Sequence, residues 1–278
     1  MKLKCIDFFA GIGAWELGMS LVNPISQIKF ETIEFIEINP YAQKVLETHF
    51  PRFPIYSDIC DYLPVKNEAD VYFISFPCTG TSRAGKKTGL IHVESSLWFQ
   101  ALRCIILGRP SFVVVEQPTG IIDRGLRTIV AGLRLAGFEA EVEIVSASEC
   151  GAPHERQRVF IVAHANDLAL KSRKGWARWT EHIRSQIEIA RSFISYPEAQ
   201  PGTMPLDDGV PNYLAGVHYE RWWGYNPPPQ NPGVEPRTPG RAEAVSLVGK
   251  SICVPQATVP LMRLQFLAHL LCNQHSRR

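Results

Sequence analysis

Cys78 is the residue best placed to do covalent chemistry. It follows Pro77 at the end of the apolar run 71–75 and opens a loop punctuated by Gly80, Gly85 and Gly89. The loop carries Arg83, Lys86 and Lys87, and cations near a thiol lower its pKa and enrich the nucleophilic thiolate. Most free cysteines are small buried hydrophobes, but a basic, glycine-hinged loop is a poor place to bury one. Glu116 ends the run Val113-Val114-Val115. Burial in such company raises a carboxyl pKa and makes a proton donor near neutrality, whereas an exposed strand-end acid would be inert. Arg156 and Arg158 flank Gln157, and strand alternation points both to one side, toward a shared site or toward solvent. The run Phe9-Ala10-Gly11-Ile12-Gly13 lets a ligand approach backbone N–H groups at a helix start, or is a plain tight turn. The next glycine is Gly18, so the G-x-G-x-x-G spacing of dinucleotide sites fails. Glu37 follows a second strand, where an acid can bind ribose hydroxyls, and Asp58 follows a short extended segment.

These residues need a scaffold that brings them to one edge. Residues 3–9, 30–36, 71–75, 112–115, 141–145 and 159–163 read as strands. Residues 14–21, 40–49, 97–107 and 124–136 read as helices, the second opened by Asn39-Pro40. The alternation predicts an α/β fold, a doubly wound, mostly parallel sheet with helices on both faces. Ligands then sit at the carboxyl ends of the strands, where Gly11, Glu37, Asp58, Cys78 and Glu116 fall.

Beyond Asn166 the texture changes. Residues 167–191 hold six Lys/Arg against three acids, with Trp176 and Trp179 among them. Six of the fourteen residues from Asn226 to Pro239 are proline, a stiff connector. The division expected is a catalytic domain at 1–165, a small domain and connector at 166–239, and a segment at 240–278 whose helix, from Ala242 to Leu271, rejoins the first.

The 278 residues are 45% hydrophobic with formal net charge +2, which excludes wholesale disorder and a histone-like binder but allows a local basic groove. Seven cysteines with no C-x-x-C spacing argue against a disulfide framework or zinc ribbon and fit a reducing cytoplasm. No signal peptide or membrane span is expected, and no metal.

Taken in order, the motifs resemble the cytosine-C5 DNA methyltransferases, the Dcm-like family of bacteria and phages. The resemblance covers residues 3–165 and about 240–272. Phe76-Pro77-Cys78 is similar to the family's nucleophile motif, Glu116 to its catalytic acid, and 153–158 to its Gln-x-Arg-x-Arg motif. Residues 248–255 are similar to its last motif. The resemblance implies an S-adenosylmethionine-dependent Rossmann-like fold with a small target-recognition domain, acting on flipped cytosines of double-stranded DNA. Cys78 would attack C6, with Glu116 at N3, Arg158 at O2, and Arg156 beside them. Phe9, Gly11, Gly13, Glu37, Ile38, Asp58, Ile59, Pro77, Leu97, Lys250 and Ser251 would line the cofactor pocket. Phe9 would face the adenine, Glu37 the ribose and Asp58 the adenine amino group. Arg83, Lys86, Lys87, Lys171, Arg173 and Lys174 would meet phosphates. A cytoplasmic monomer in a bacterial or phage-infected cell is the implied setting.

The chain departs from the family pattern at Thr79-Gly80-Thr81, at Gln117-Pro118, at His154, and at Lys250, where the family has asparagine. A lysine beside a sulfonium is repulsive, but it would pair with the carboxylate of carboxy-S-adenosylmethionine, which raises carboxymethyl transfer as an alternative. Lys250 could equally reach solvent or the cofactor's own carboxylate. A non-catalytic DNA binder and a transfer-RNA methyltransferase are two further possibilities, although the Cys-Phe-Thr signature of the transfer-RNA branch is missing.

Overall fold

A computed structural model describes residues 1–77, 96–152, 154–193 and 241–272. Its strands are β1 (Lys2–Phe8), β2 (Lys29–Ile36), β3 (Ile55–Tyr56), β4 (Val71–Ile74), β5 (Phe112–Pro118), β6 (Phe138–Ser146) and β7 (Gln157–Ala165). They form one sheet in the order β3-β2-β1-β4-β5-β7-β6, with β7 antiparallel to both neighbours and the rest parallel. The central strands are covered on both faces, so β4 is buried throughout and β5 runs Phe-Val-Val-Val before its acid. Strand order reverses between β1 and β4, and that switch point opens a crevice at their carboxyl ends.

The helices are α1 (Ala14–Val22), α2 (Pro40–His49), α3 (Leu97–Gly108), α4 (Ile121–Arg124), α5 (Leu126–Leu135), α6 (Trp179–Ser192), α7 (Arg241–Lys250) and α8 (Val254–Cys272). One face of the sheet packs on Trp15 and Met19 of α1, Trp179 of α6, and Leu261, Leu264 and Leu267 of α8. The other packs on Trp98, Ala101 and Ile105 of α3 with Ile129 and Leu133 of α5. Asn39 caps α2 by accepting from the Tyr41 and Ala42 N–H groups, with Pro40 at the first helical position, as the sequence suggests.

Three expected boundaries shift. The helix read at 124–136 is α5, starting two residues later, and Arg124 instead ends the short α4 ahead of Gly125. The terminal helix is two, separated by residues 251–253. Arg156 Nη2 donates to the Gly249 and Ser251 carbonyls (3.0 and 2.7 Å), which the helix end leaves without intrahelical donors. Third, the packing does not pause at 166. Leu170, Trp179 and Ala190 lie in the same core as β1 and α8, and the Trp179 backbone N–H donates to Glu141 Oε1 at 2.9 Å. Residues 166–193 thus pack on this core, and Trp179 is buried in it. The proline-rich stretch and Trp222-Trp223 lie outside the described residues. Among the described residues no helix is long and apolar enough to cross a membrane, and no three potential ligands form a metal cluster.

Candidate active site

The glycine loop leaves β1 with Phe9 in the left-handed region (φ 61°), a strained conformation for a non-glycine residue. It is held there because the Phe9 and Ala10 N–H groups both donate to the Ile36 carbonyl (2.7 and 3.2 Å). Gly13, at φ 83°, caps α1, and a Cβ there would lie 2.4 Å from the Phe50 ring. At Gly11 the space a Cβ would enter is open, which suits a ligand lying against the backbone.

Glu37 closes this loop. Its two carboxylate oxygens accept from the Gly11 and Asn39 N–H groups, both at 2.7 Å. Burial raises its pKa, while these bonds and the nearby Lys250 ammonium pull it back. The register pairs Phe8 with Ile36 and Ile36 with Tyr56, so Phe9, Glu37 and the Ser57-Asp58 turn stand side by side. Asp58 Oδ1 accepts from the Cys60 N–H at 2.8 Å. Ile38 is 66% exposed, an apolar surface next to Glu37. Ile59 instead is buried in the core, and its carbonyl accepts from Arg103 Nη2 at 2.7 Å, so its side chain is withdrawn from the edge. Leu97 and Phe9 are half-buried against the same core. Lys250 is exposed and Ser251 half-buried.

The second half of the site lies across the switch point. Arg158 Nε contacts Glu116 Oε1 at 2.8 Å, and both side chains are largely buried. Burial raises the Glu116 pKa, and Arg158, Arg156 and the Ser75 hydroxyl lower it. Arg158 lies within β7 rather than ahead of it, opposite Pro118, because the antiparallel ladder continues to the strand end. Arg156 gives one guanidinium nitrogen to the carbonyls at 249 and 251, so it joins the C-terminal segment to the site, and its charge helps lower the Glu116 pKa. Gln117 Nε2 donates to the Phe76 carbonyl at 2.7 Å, fixing the peptide that leads into exposed Pro77. Cys78, Arg83, Lys86 and Lys87 lie outside the described residues.

Two of the residues expected to contact DNA have protein partners and stand apart from Glu116. Lys171 pairs with Glu139 at 2.9 Å, and Arg173 donates to the carbonyls of Leu168 (3.1 Å) and Leu270 (3.4 Å). They follow the end of β7 that pairs with Phe112, the start of β5, and so occupy the edge of the sheet opposite Glu116. Lys174, exposed, follows them in the chain. A basic run in sequence is not a basic patch at the site when an antiparallel strand carries the chain away from it.

Sequence reasoning missed a buried carboxyl pair under the glycine loop. Asp7 on β1 and Glu16 in the first turn of α1 face each other, and Thr32 Oγ1 donates to Glu16 Oε1 at 2.8 Å. Burial pushes Asp7 well above the usual range and Glu16 to about 7. Burial thus holds protons on the pair at pH values where carboxyls in a free chain have lost theirs. The available signal was an aspartate inside an otherwise apolar strand.

The description C-5 cytosine-specific DNA methylase belongs to the family model that matches residues 3–213. The Type II methyltransferase M.BanI of Aneurinibacillus aneurinilyticus is 28% identical over 196 residues, covering 68% of this chain and 45% of that protein. M.HpaII of Haemophilus parainfluenzae is 31% identical over 182 residues, covering 62% of this chain and 48% of its own length. The chain thus spans less than half the length of these curated relatives. Among solved structures, the S. pombe Dnmt2 methyltransferase aligns with a TM-score of 0.52 at 17% identity, over 76% of this chain and 60% of that one, a likeness of fold.

Proposed function

The chain belongs to the C-5 cytosine-specific DNA methylase family, and on that premise we propose that it methylates C5 of a cytosine flipped out of duplex DNA. The observation that carries the reading is the buried Glu116–Arg158 pair, one strand away from the Phe76 carbonyl that Gln117 holds ahead of Pro77-Cys78. A carboxyl raised by burial yet anchored by a guanidinium suits protonating or hydrogen-bonding the base at N3, with Arg158 at O2. Cys78 as thiolate adds to C6, which places electron density on C5. After group transfer the C5 proton leaves to a base, the Cys78–C6 bond breaks to release the thiolate, and N3 returns its proton to Glu116, restoring the aromatic ring.

S-adenosylmethionine, when bound, supplies a methyl group on a positive sulfur and leaves as a neutral thioether. Glu37, Phe9, Ile38, Asp58 and Leu97 are the residues to hold it, and the open space above Gly11 and the exposed face of Ile38 fit such a group. Lys250 is exposed and is only the weakest of the influences that lower the Glu37 pKa, after its backbone hydrogen bonds, so its charge remains for the cofactor's own carboxylate. Methyl transfer is therefore the reading, with carboxymethyl transfer as its alternative. Target reading falls to the segment expected at 166–239, and the enzyme acts as a cytoplasmic monomer.

Incubation with mixed-sequence duplex DNA and either S-adenosylmethionine or its carboxy analogue, then nucleoside mass spectrometry, tests this. The expected product is 5-methylcytosine, absent with Cys78→Ser. Carboxymethylcytosine as the main product, lost in Lys250→Asn, would replace the methyl reading. Modification of transfer RNA in preference to DNA, or DNA binding without product, would overturn it.

A further inference from the structure

Next to Glu116 across the sheet stands Ser75, bonded to Trp15, a pair whose chemistry the reaction itself does not require. Trp15 lies in the first turn of α1, two residues past Gly13, and its indole N–H donates to Ser75 Oγ at 3.2 Å. The indole is buried and wedged against Phe73 and Phe160, with ring centroids 4.7 and 6.1 Å away, so it holds one orientation. Ser75 follows β4. Ile74 pairs with Val115 in parallel register, so Ser75 and Glu116 come next on adjacent strands, on the face of Phe73 and Val114.

A hydroxyl has one hydrogen to give, and an indole N–H can only donate. Once Ser75 Oγ accepts from Trp15, its own hydrogen is directed to another acceptor, and Glu116 is the residue that comes beside it on the adjacent strand. The charged groups acting on Glu116 are Arg158 from β7 and Arg156 from the loop before it; the residue beside it just past β4 is the neutral Ser75.

We propose that Trp15 and Ser75 are positioning residues for the Glu116 carboxyl. The indole fixes the Ser75 hydroxyl with its hydrogen toward Glu116, and so ties the acid to the helix that begins at the glycine loop. The importance given to Glu116 rests on the function proposed above, but the relay concerns one carboxyl and can be tested apart from that function.

The test uses the full chain as wild type, Ser75→Ala, Ser75→Thr and Trp15→Phe. The first readout is the Glu116 carboxyl titration by 13C NMR, assigned with Glu116→Gln. Ser75→Ala removes a hydrogen bond to the ionised form, so the Glu116 pKa rises by about one unit, a tenfold change in its ionisation equilibrium. Ser75→Thr restores the wild-type value, and Trp15→Phe moves it the same way by less. The second readout is the pH dependence of kcat/KM for methyl transfer. Its alkaline limb moves upward with the acid in Ser75→Ala, while KM for S-adenosylmethionine stays unchanged.

Thermal unfolding is followed in parallel. Should Ser75→Ala not fold, Trp15→Phe, which keeps an aromatic ring in place, carries the comparison. An unmoved Glu116 titration in both Ser75→Ala and Trp15→Phe, or a Ser75→Thr protein as shifted as Ser75→Ala, would overturn the relay. A wild type that modifies no cytosine would sink the proposed function and leave the NMR titration to decide the relay.

Discussion

The buried carboxyl pair makes the stability of this domain depend on pH in a direction opposite to that of a salt-bridged acid. Glu16 rises from 4.5 in a free chain to about 7 in the fold, chiefly because burial disfavours its charge. The folded state therefore holds a proton that the unfolded state has released. Its contribution is complete below pH 4.5, declines as pH rises through about 7, and is gone above that. The rise in pKa corresponds to roughly 3 kcal/mol of stability lost across that window. Glu16→Gln keeps an oxygen to accept from Thr32 Oγ1 and removes the charge. Urea unfolding of wild type and Glu16→Gln at pH 5, 6, 7 and 8 measures the difference. The variant gains on the wild type progressively above pH 5, reaching a difference of up to about 3 kcal/mol by pH 8, with the urea dependence m unchanged. Parallel pH profiles for the two proteins would refute the reasoning, because they would mean that Glu16 ionises in the fold as it does in a free chain.

Arg158→Met leaves Glu116 buried beside a neutral side chain, so turnover is lost and urea unfolding shows a destabilisation of about 3 kcal/mol. Gln117→Leu strands the Phe76 carbonyl; kcat falls at least tenfold, while calorimetric affinity for S-adenosylmethionine changes little. Gly13→Ala drives a Cβ into the Phe50 ring at a left-handed residue, lowering the melting temperature and weakening cofactor binding by calorimetry more than tenfold. Lys171→Glu, at the far edge of the sheet, leaves the salt dependence of DNA binding unchanged in fluorescence titrations.

How much of this could be read from sequence depended on how local the determinants were. The strand–glycine–helix start at Phe9–Gly13 and the Asn39-Pro40 cap are short-range and stand where the sequence puts them. Glu116 was legible because three valines announce a buried strand, and burial with a partner is what the structure shows. What failed was non-local. Nothing near Lys171 reveals that β7 runs antiparallel and delivers the chain to the edge opposite Glu116. Nothing near Trp179 tells that α6 packs on α8, about eighty residues later in the chain. Ile59 looks like its neighbour Asp58 in a motif, yet an apolar side chain beside a core goes inward. The bond of Trp15 to Ser75 joins residues sixty apart, so only the fold could bring it out.

The central claim is that Cys78 bonds covalently to an extruded cytosine while Glu116 supports the ring. The most direct measurement is intact-protein mass spectrometry after incubation with a duplex containing 5-fluorocytosine and S-adenosylmethionine, where fluorine at C5 prevents release. The expected result is one DNA adduct per chain, mapped by peptide sequencing to Cys78, absent from Cys78→Ser and much slower to form in Glu116→Gln. No adduct with the wild type, or an adduct at another cysteine, would contradict it.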